Sequence, residues 1–210
     1  MKKLETSKGK NGKENVLFPL STIYITQGEN GTYSHMGSLA IDFQGYNESR
    51  VYKQEYYSPC TLKMIKIIDS NSHGFIYESI DKVNYINGEC DYVTILVAHD
   101  DNQPYNIGDV INQGELLGHT GTFGNVTGDH LHIEIAQGKY EGMFTNDKGV
   151  YCLKNQISLY NVMGINNTTI KHNLEYIWSE FSEIKKNEKN SKYNWILYSR
   201  NTRSRFLKNL

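Results

Sequence analysis

The chain has 210 residues, 38% of them hydrophobic and 21% charged, with a formal net charge of −1. This length accommodates one well-buried domain plus an appendage, is short for two full domains, and has the composition of a soluble globular protein. No apolar run is long enough for a membrane-spanning helix, and three widely separated cysteines (Cys60, Cys90, Cys152) without a CxxC argue against a disulfide framework or a cysteine zinc site.

Charge divides the chain. Residues 1–152 hold 12 Lys+Arg against 19 Asp+Glu, and residues 153–210 hold 10 against 4. The expected organisation is a flexible leader over 1–15, an acidic domain over 16–152 and a basic appendage over 153–210. The leader lacks the apolar core of a secretory signal. Sixteen tyrosines and eighteen glycines against three prolines favour strands and turns.

In chain order, residues 21–26 (STIYIT) have strand composition, and Gly28, Asn30 and Gly31 form a turn after them. Residues 39–43 (LAIDF) are a short apolar run interrupted by Asp42. Residues 60–68 (CTLKMIKII) form a strand entered through Ser58-Pro59. The polar stretch 69–91, with His73, is a long hairpin or an insertion. Residues 92–98 (YVTILVA) are the strongest strand and end in His99-Asp100-Asp101. Gly108, Gly114, Gly118 and Gly121 then punctuate short antiparallel pieces. In residues 130–136 (HLHIEIA), His130, His132, Glu134 and Ala136 fall on one face and Leu131, Ile133 and Ile135 on the other. Residues 16–140 therefore read as an antiparallel β-domain, so the fold class is mainly β. In the appendage, Leu174, Ile177, Trp178, Phe181 and Ile184 recur at helical spacing over 173–186 and form a docking face. Residues 193–198 (YNWILY) have strand composition, and the end of the chain is basic.

The histidines are at 35, 73, 99, 119, 130, 132 and 172. In His130-Leu131-His132 both imidazoles project to one side, so one can bind a metal while the other faces what the metal holds. A catalytic zinc site takes three protein ligands of His and carboxylate type and keeps one position open for water, so this pair needs partners from elsewhere. His35 and Asp42 are the best candidates, because a lone carboxylate in an apolar strand is costly unless something compensates it. Taken singly, each residue also has an ordinary structural explanation. No HExxH helix is present, which excludes the helical zincin arrangement.

SHMGSLAID, YYSPCTLKMIKI, YVTILVAHDD and GDVINQGELLGHTGTFGNVTGDHLHIEI follow one another in order. Together they resemble the lysostaphin/LytM-type zinc metallopeptidases over residues 16–140, with the closest match to wall-degrading peptidases on phage tails. The resemblance implies a LytM-like β-fold and hydrolysis of peptide cross-links in bacterial peptidoglycan. It implies Zn²⁺ held by His35, Asp42 and His132, with His99 and His130 as catalytic histidines that are not ligands. It also implies a place on the phage virion tail or otherwise outside the cell at the bacterial wall. Residues 153–210 would contact other tail proteins, and nucleic acid is the weakest partner. The alternative is a non-catalytic LytM-like scaffold or tail protein that binds wall or a partner. One departure stands out: six residues separate His35 from Asp42, where many members have three. His73, His119 and His172 are assigned structural roles.

Overall fold

The computed structural model describes residues 6–69, 73–102, 104–166, 168–170 and 182–184. Its centre is a seven-stranded sheet in which every neighbouring pair is antiparallel. We number these strands in chain order: β1 (Ile25–Gln27), β2 (Ile41–Phe43), β3 (Leu62–Asp69), β4 (Gly74–Ser79), β5 (Val93–Ala98), β6 (Val110–Ile111) and β7 (Leu131–Gln137). Across the sheet the order is β6-β3-β4-β5-β7-β2-β1.

The alternation in the sequence decides which face is which. Leu131, Ile133 and Ile135 of β7 join Val93, Ile95 and Val97 of β5 in the main core, with Ile41, Phe43, Leu62 and Tyr77. The opposite face carries a smaller cluster of Ile76, Leu96, Ala98, Ala136 and Leu153. His132 and Glu134 alternate with the main-core residues of β7, so the polar side chains of this strand stand on that second face. The stretch 69–91, expected as a long hairpin or an insertion, supplies β4, which pairs with β3, and a small hairpin of its own, Val83–Asn84 with Cys90–Asp91.

Ordered packing continues across both expected boundaries. Composition marks residues 1–15 as a flexible leader, yet residues 6–15 are packed. Lys8 pairs with Glu14 and Asn15 with Asn84, the Ser7 amide donates to Gln113, and the Glu14 carboxylate accepts from the Thr61 amide and hydroxyl. Polar side chains tie down a segment that has no apolar pattern. At the other end, Leu153, Leu159, Val162, Met163 and Ile165 are all buried, so the β-domain runs past residue 152. A single helical turn, Leu159–Val162, is capped by Ser158. Of the amphipathic helix expected over 173–186, only 182–184 are described. Ser182–Glu183 are a short strand beside Gly164–Ile165 instead; the rest of that stretch, residues 193–198 and His172 lie outside the described residues. No helix among the described residues is long and apolar enough to cross a membrane.

Ile133 is 1% exposed at the centre of the main core. Ile133→Ala is expected to lower unfolding free energy by about 2–5 kcal/mol, the range for a large aliphatic truncated in a core. Urea denaturation followed by tyrosine and tryptophan fluorescence reads this, and a midpoint unchanged from wild type would contradict the packing.

Candidate metal centre

Strand register builds the site. On β7, His132 lies opposite Asp42 of β2 and opposite Ala98 of β5. Side chains directly opposed across antiparallel strands have Cβ atoms about 4.5–5.5 Å apart, so pairing alone brings imidazole and carboxylate together. His99 follows Ala98, and His130 sits just before β7 in a bridge with Gly121. His35 arrives from the β1–β2 loop, which is closed by hydrogen bonds from the His35 amide to Gly31 O and from the Ser38 amide to His35 O. The longer His35–Asp42 interval is absorbed by this loop.

All five residues expected from the sequence therefore meet on one side of the sheet. A single oxygen, Asp42 Oδ1, lies 3.0 Å from His132 Nδ1, 3.3 Å from His35 Nε2 and 3.7 Å from His130 Nε2. Ligand atoms of His35, Asp42 and His132 fall within 4.8 Å of one another. The ring centroids of His99 lie 4.7 Å from His130 and 5.8 Å from His132.

His35 provides the test of fit. It is 1% exposed, and its Nδ1 faces the Gly28 carbonyl at 3.2 Å. A carbonyl only accepts, so Nδ1 carries the hydrogen and a neutral ring presents the Nε2 lone pair to Asp42. That Nε2 is buried and has no hydrogen-bond partner. Two lone-pair-bearing atoms 3.3 Å apart are unfavourable unless a cation lies between them. Tetrahedral ligands each about 2.0–2.1 Å from zinc are about 3.3 Å apart, close to the 3.0 and 3.3 Å measured from Asp42. The donor set of two imidazoles and a carboxylate suits such an ion.

A further layer fixes these groups. His132 Nε2 lies 3.4 Å from Glu134 Oε1, while Glu134 Oε2 accepts from the Leu153 amide and the Gln156 side chain, both at 2.8 Å. Gln27 donates to Asp42 Oδ2 at 3.1 Å and accepts from the Tyr33 and Ser34 amides. Nδ1 of His99 donates to Phe123 O at 2.8 Å and Nδ1 of His130 donates to Gly128 O at 2.7 Å. In the neutral rings this leaves each Nε2 to accept a proton. His99 has φ +74°, a turn held by Asp100. The buried Asp100 carboxylate accepts from the His119 amide, the Asn102 amide and the Tyr56 hydroxyl. Gly121 packs against this turn so tightly that a Cβ there would lie 2.1 Å from His99 O. His73, read as structural, stacks on Phe123 at 3.5 Å and faces Asp100 O with Nδ1. It thus braces the segment that orients His99. His119 contributes its backbone and lies outside the cluster.

Sequence reasoning missed Glu134, Gln27, Asp100 and Arg50 as parts of the site. Glu134 had a signal, since it lies two residues beyond His132 on the same face of β7. The other three become visible only when distant segments meet.

Electrostatics separate the histidines. Burial would raise the pKa of Asp42, but the neighbouring imidazoles, His132 with its hydrogen bond foremost, outweigh it and hold the carboxyl well below the usual range. Burial would likewise lower that of His132, but Asp42 and Glu134 overcome it and push it up to about 10. His99 is pulled down to about 4, first by burial and then by the like charges of His132 and His130.

No protein-family model matches the chain. Morphogenesis protein 1 of Bacillus phage B103 is 35% identical over 187 residues, covering 89% of this chain and 50% of that protein. The chain thus spans about half the length of the curated relative it matches. Among solved structures, the M23 metalloprotease pseudoalterin from the deep sea is similar with TM-score 0.43 and 20% identity, over 73% of this chain and 79% of that one. The catalytic domain of lysostaphin from Staphylococcus simulans gives 0.40 and 16%, over 57% and 84%. A zinc-containing peptidase from Vibrio cholerae gives 0.41 and 17%, over 63% and 43%. These structural neighbours are M23, lysostaphin-type peptidases, the group that the ordered sequence pattern resembles.

In the metal-free protein, NMR titration is expected to find His99 neutral at pH 7, protonating near pH 4, and His132 cationic through neutral pH. The raised pKa of His132 means that its ion pair contributes full stability below about pH 6.5, the unfolded value. That contribution is lost as pH rises towards 10. A neutral His132 at pH 7 would contradict the arrangement.

Proposed function

We propose that this chain is a lysostaphin-type zinc endopeptidase that hydrolyses peptide cross-links of bacterial peptidoglycan and serves wall penetration from a phage tail. The observation that carries the reading is the buried Nε2 of His35 with no hydrogen-bond partner, facing Asp42 beside His132. The phage morphogenesis relative supports the virion setting. On this reading residues 16–152, with the packed flanks described above, are the peptidase part. The basic remainder, 10 Lys+Arg against 4 Asp+Glu from residue 153 onward, contacts other tail proteins.

His35 Nε2, Asp42 and His132 Nδ1 would hold the ion, with Glu134 keeping the proton on His132 Nε2. Bound zinc supplies Lewis-acid polarisation of the scissile carbonyl and a water of pKa about 7. Asp42 brings the one negative charge among the ligands. His132 must surrender its Nδ1 proton for that atom to become a ligand. His130 and His99 present unprotonated Nε2 atoms from rings whose Nδ1 hydrogens are committed to carbonyls. One accepts the proton of the attacking water, and the other steadies developing charge or passes a proton to the departing amine. With its pKa near 4 in the metal-free protein, His99 is neutral at working pH. The β1–β2 loop and the 125–128 segment line a cleft of about 810 Å³ around these groups, a space suited to an extended peptide.

The test is a variant series scored for zinc content and for clearing of purified walls. His132→Ala and Asp42→Ala are expected to lose both. His99→Ala and His130→Ala are expected to keep zinc and lose about 10²–10⁴-fold in rate. Glu134→Gln is expected to weaken zinc binding about 10- to 100-fold. Retention of zinc by Asp42→Ala, or unimpaired lysis by His130→Ala and His99→Ala together, would overturn the reading.

A further inference from the structure

Two buried side-chain nitrogens or oxygens among the described residues have no hydrogen-bond partner: His35 Nε2 and Arg50 Nε. Both residues line the same cleft. The metal accounts for the first. Arg50 calls for a separate explanation.

Arg50 lies on the short strand Ser49–Val51, which pairs with Gly45–Asn47. It is half-buried and is the sole Lys or Arg among the residues lining the cleft. A guanidinium carries five N–H donors. Among the described residues, the one hydrogen bond Arg50 makes is from Nη2 to Asp129 O at 2.8 Å. No carboxylate among them lies within ion-pair distance of it, and the nearest compensating feature is the Tyr52 ring at 5.6 Å. The rest of the domain is acidic and offers carboxylates freely, so a cation left unpaired in its cleft is notable. Gly128 makes room for it, since a Cβ there would lie 2.9 Å from Nη1. The same Gly128 carbonyl holds His130 Nδ1. Arg50 is therefore one residue's width from a histidine we place in catalysis.

We infer that Arg50 receives a free carboxylate of the peptide substrate close to the scissile bond. The inference rests on the peptidase reading and adds a substrate class to it: an acidic peptide, in place of a bridge of neutral residues alone. Planar, charge-assisted pairing with carboxylate is the task a fixed guanidinium does best. The carboxylate belongs either to a side chain of the stem or to the free C-terminus of the strand being cut. Both present the same chemistry to Arg50.

The experiment uses the zinc-loaded full chain and three synthetic cross-linked peptides. One has all carboxylates free, one is amidated at the C-terminus only, and one is amidated at the side chain only. Wild type is expected to cleave the free peptide about 10- to 100-fold more efficiently in kcat/KM than one of the amides, mostly through KM. The amide that suffers identifies the source of the carboxylate. Arg50→Gln is expected to lose that discrimination while keeping its zinc, and Arg50→Lys to restore part of it. Cleavage by wild type without discrimination among the three peptides overturns the role of Arg50 and leaves the peptidase reading standing. Undiminished discrimination by a folded, zinc-loaded Arg50→Gln overturns it equally. No cleavage of any peptide or of purified walls by wild type overturns both. Should Arg50→Gln fail to fold, the wild-type comparison of free and amidated peptides decides alone.

Discussion

One oxygen of Asp42 lies within 3.7 Å of three imidazoles, in a residue 8% exposed. An ionised carboxylate at such depth is expensive unless it is paired, and the pairing comes from the register of three strands. β7 lies between β2 and β5, so His132 meets Asp42 on one side and the end of β5 on the other. A one-residue slip of β7 would turn His132 into the apolar core and Leu131 out of it. The core face therefore fixes the site face. Burial of Leu131, Ile133 and Ile135 is what holds His132 against Asp42.

Around this pair, the surrounding groups set the protonation of each ring. Carbonyl oxygens hold Nδ1–H of His35, His99 and His130, so all three offer Nε2. His132 is the exception, with a carboxylate at each nitrogen, which makes it the ring that carries a proton when no metal is present. This difference distinguishes His132 from His130 within one His-x-His strand. The supports are themselves anchored: Glu134 by Leu153 and Gln156, Asp100 by Tyr56, Asn102 and His119, and Phe123 by His73.

Much of this was legible in the chain. The alternation of residues 130–136 assigned both faces of β7 correctly, because a strand between two layers leaves a period-two record. The antiparallel β-class followed from short apolar runs separated by glycines. His35, Asp42 and His99 stood out mainly through ordered motifs that resemble those of lysostaphin-type peptidases, since a lone histidine or aspartate carries little positional information. Residues 6–15 are held by Asn, Ser and Glu side chains, and polar tethering leaves no hydrophobic pattern. At residue 152 the charge composition changes while burial continues to Ile165, and composition does not record burial. Gln27, Glu134 and Arg50 meet partners 15 to 79 positions away only once the chain is folded, so no local pattern announces them: Gln27 reaches Asp42, Glu134 reaches Leu153 and Gln156, and Arg50 reaches Asp129.

On the proposed reading, a metal held by His35, Asp42 and His132 cuts peptide bonds of the bacterial wall. Mass analysis of fragments released from purified peptidoglycans of different cross-bridge chemistry tests it most directly, with and without a chelator. New amino and carboxyl termini from a peptide bond are expected, abolished by chelator and restored by added zinc. Fragments cut in the glycan strands, or peptide cleavage indifferent to chelation, would contradict it.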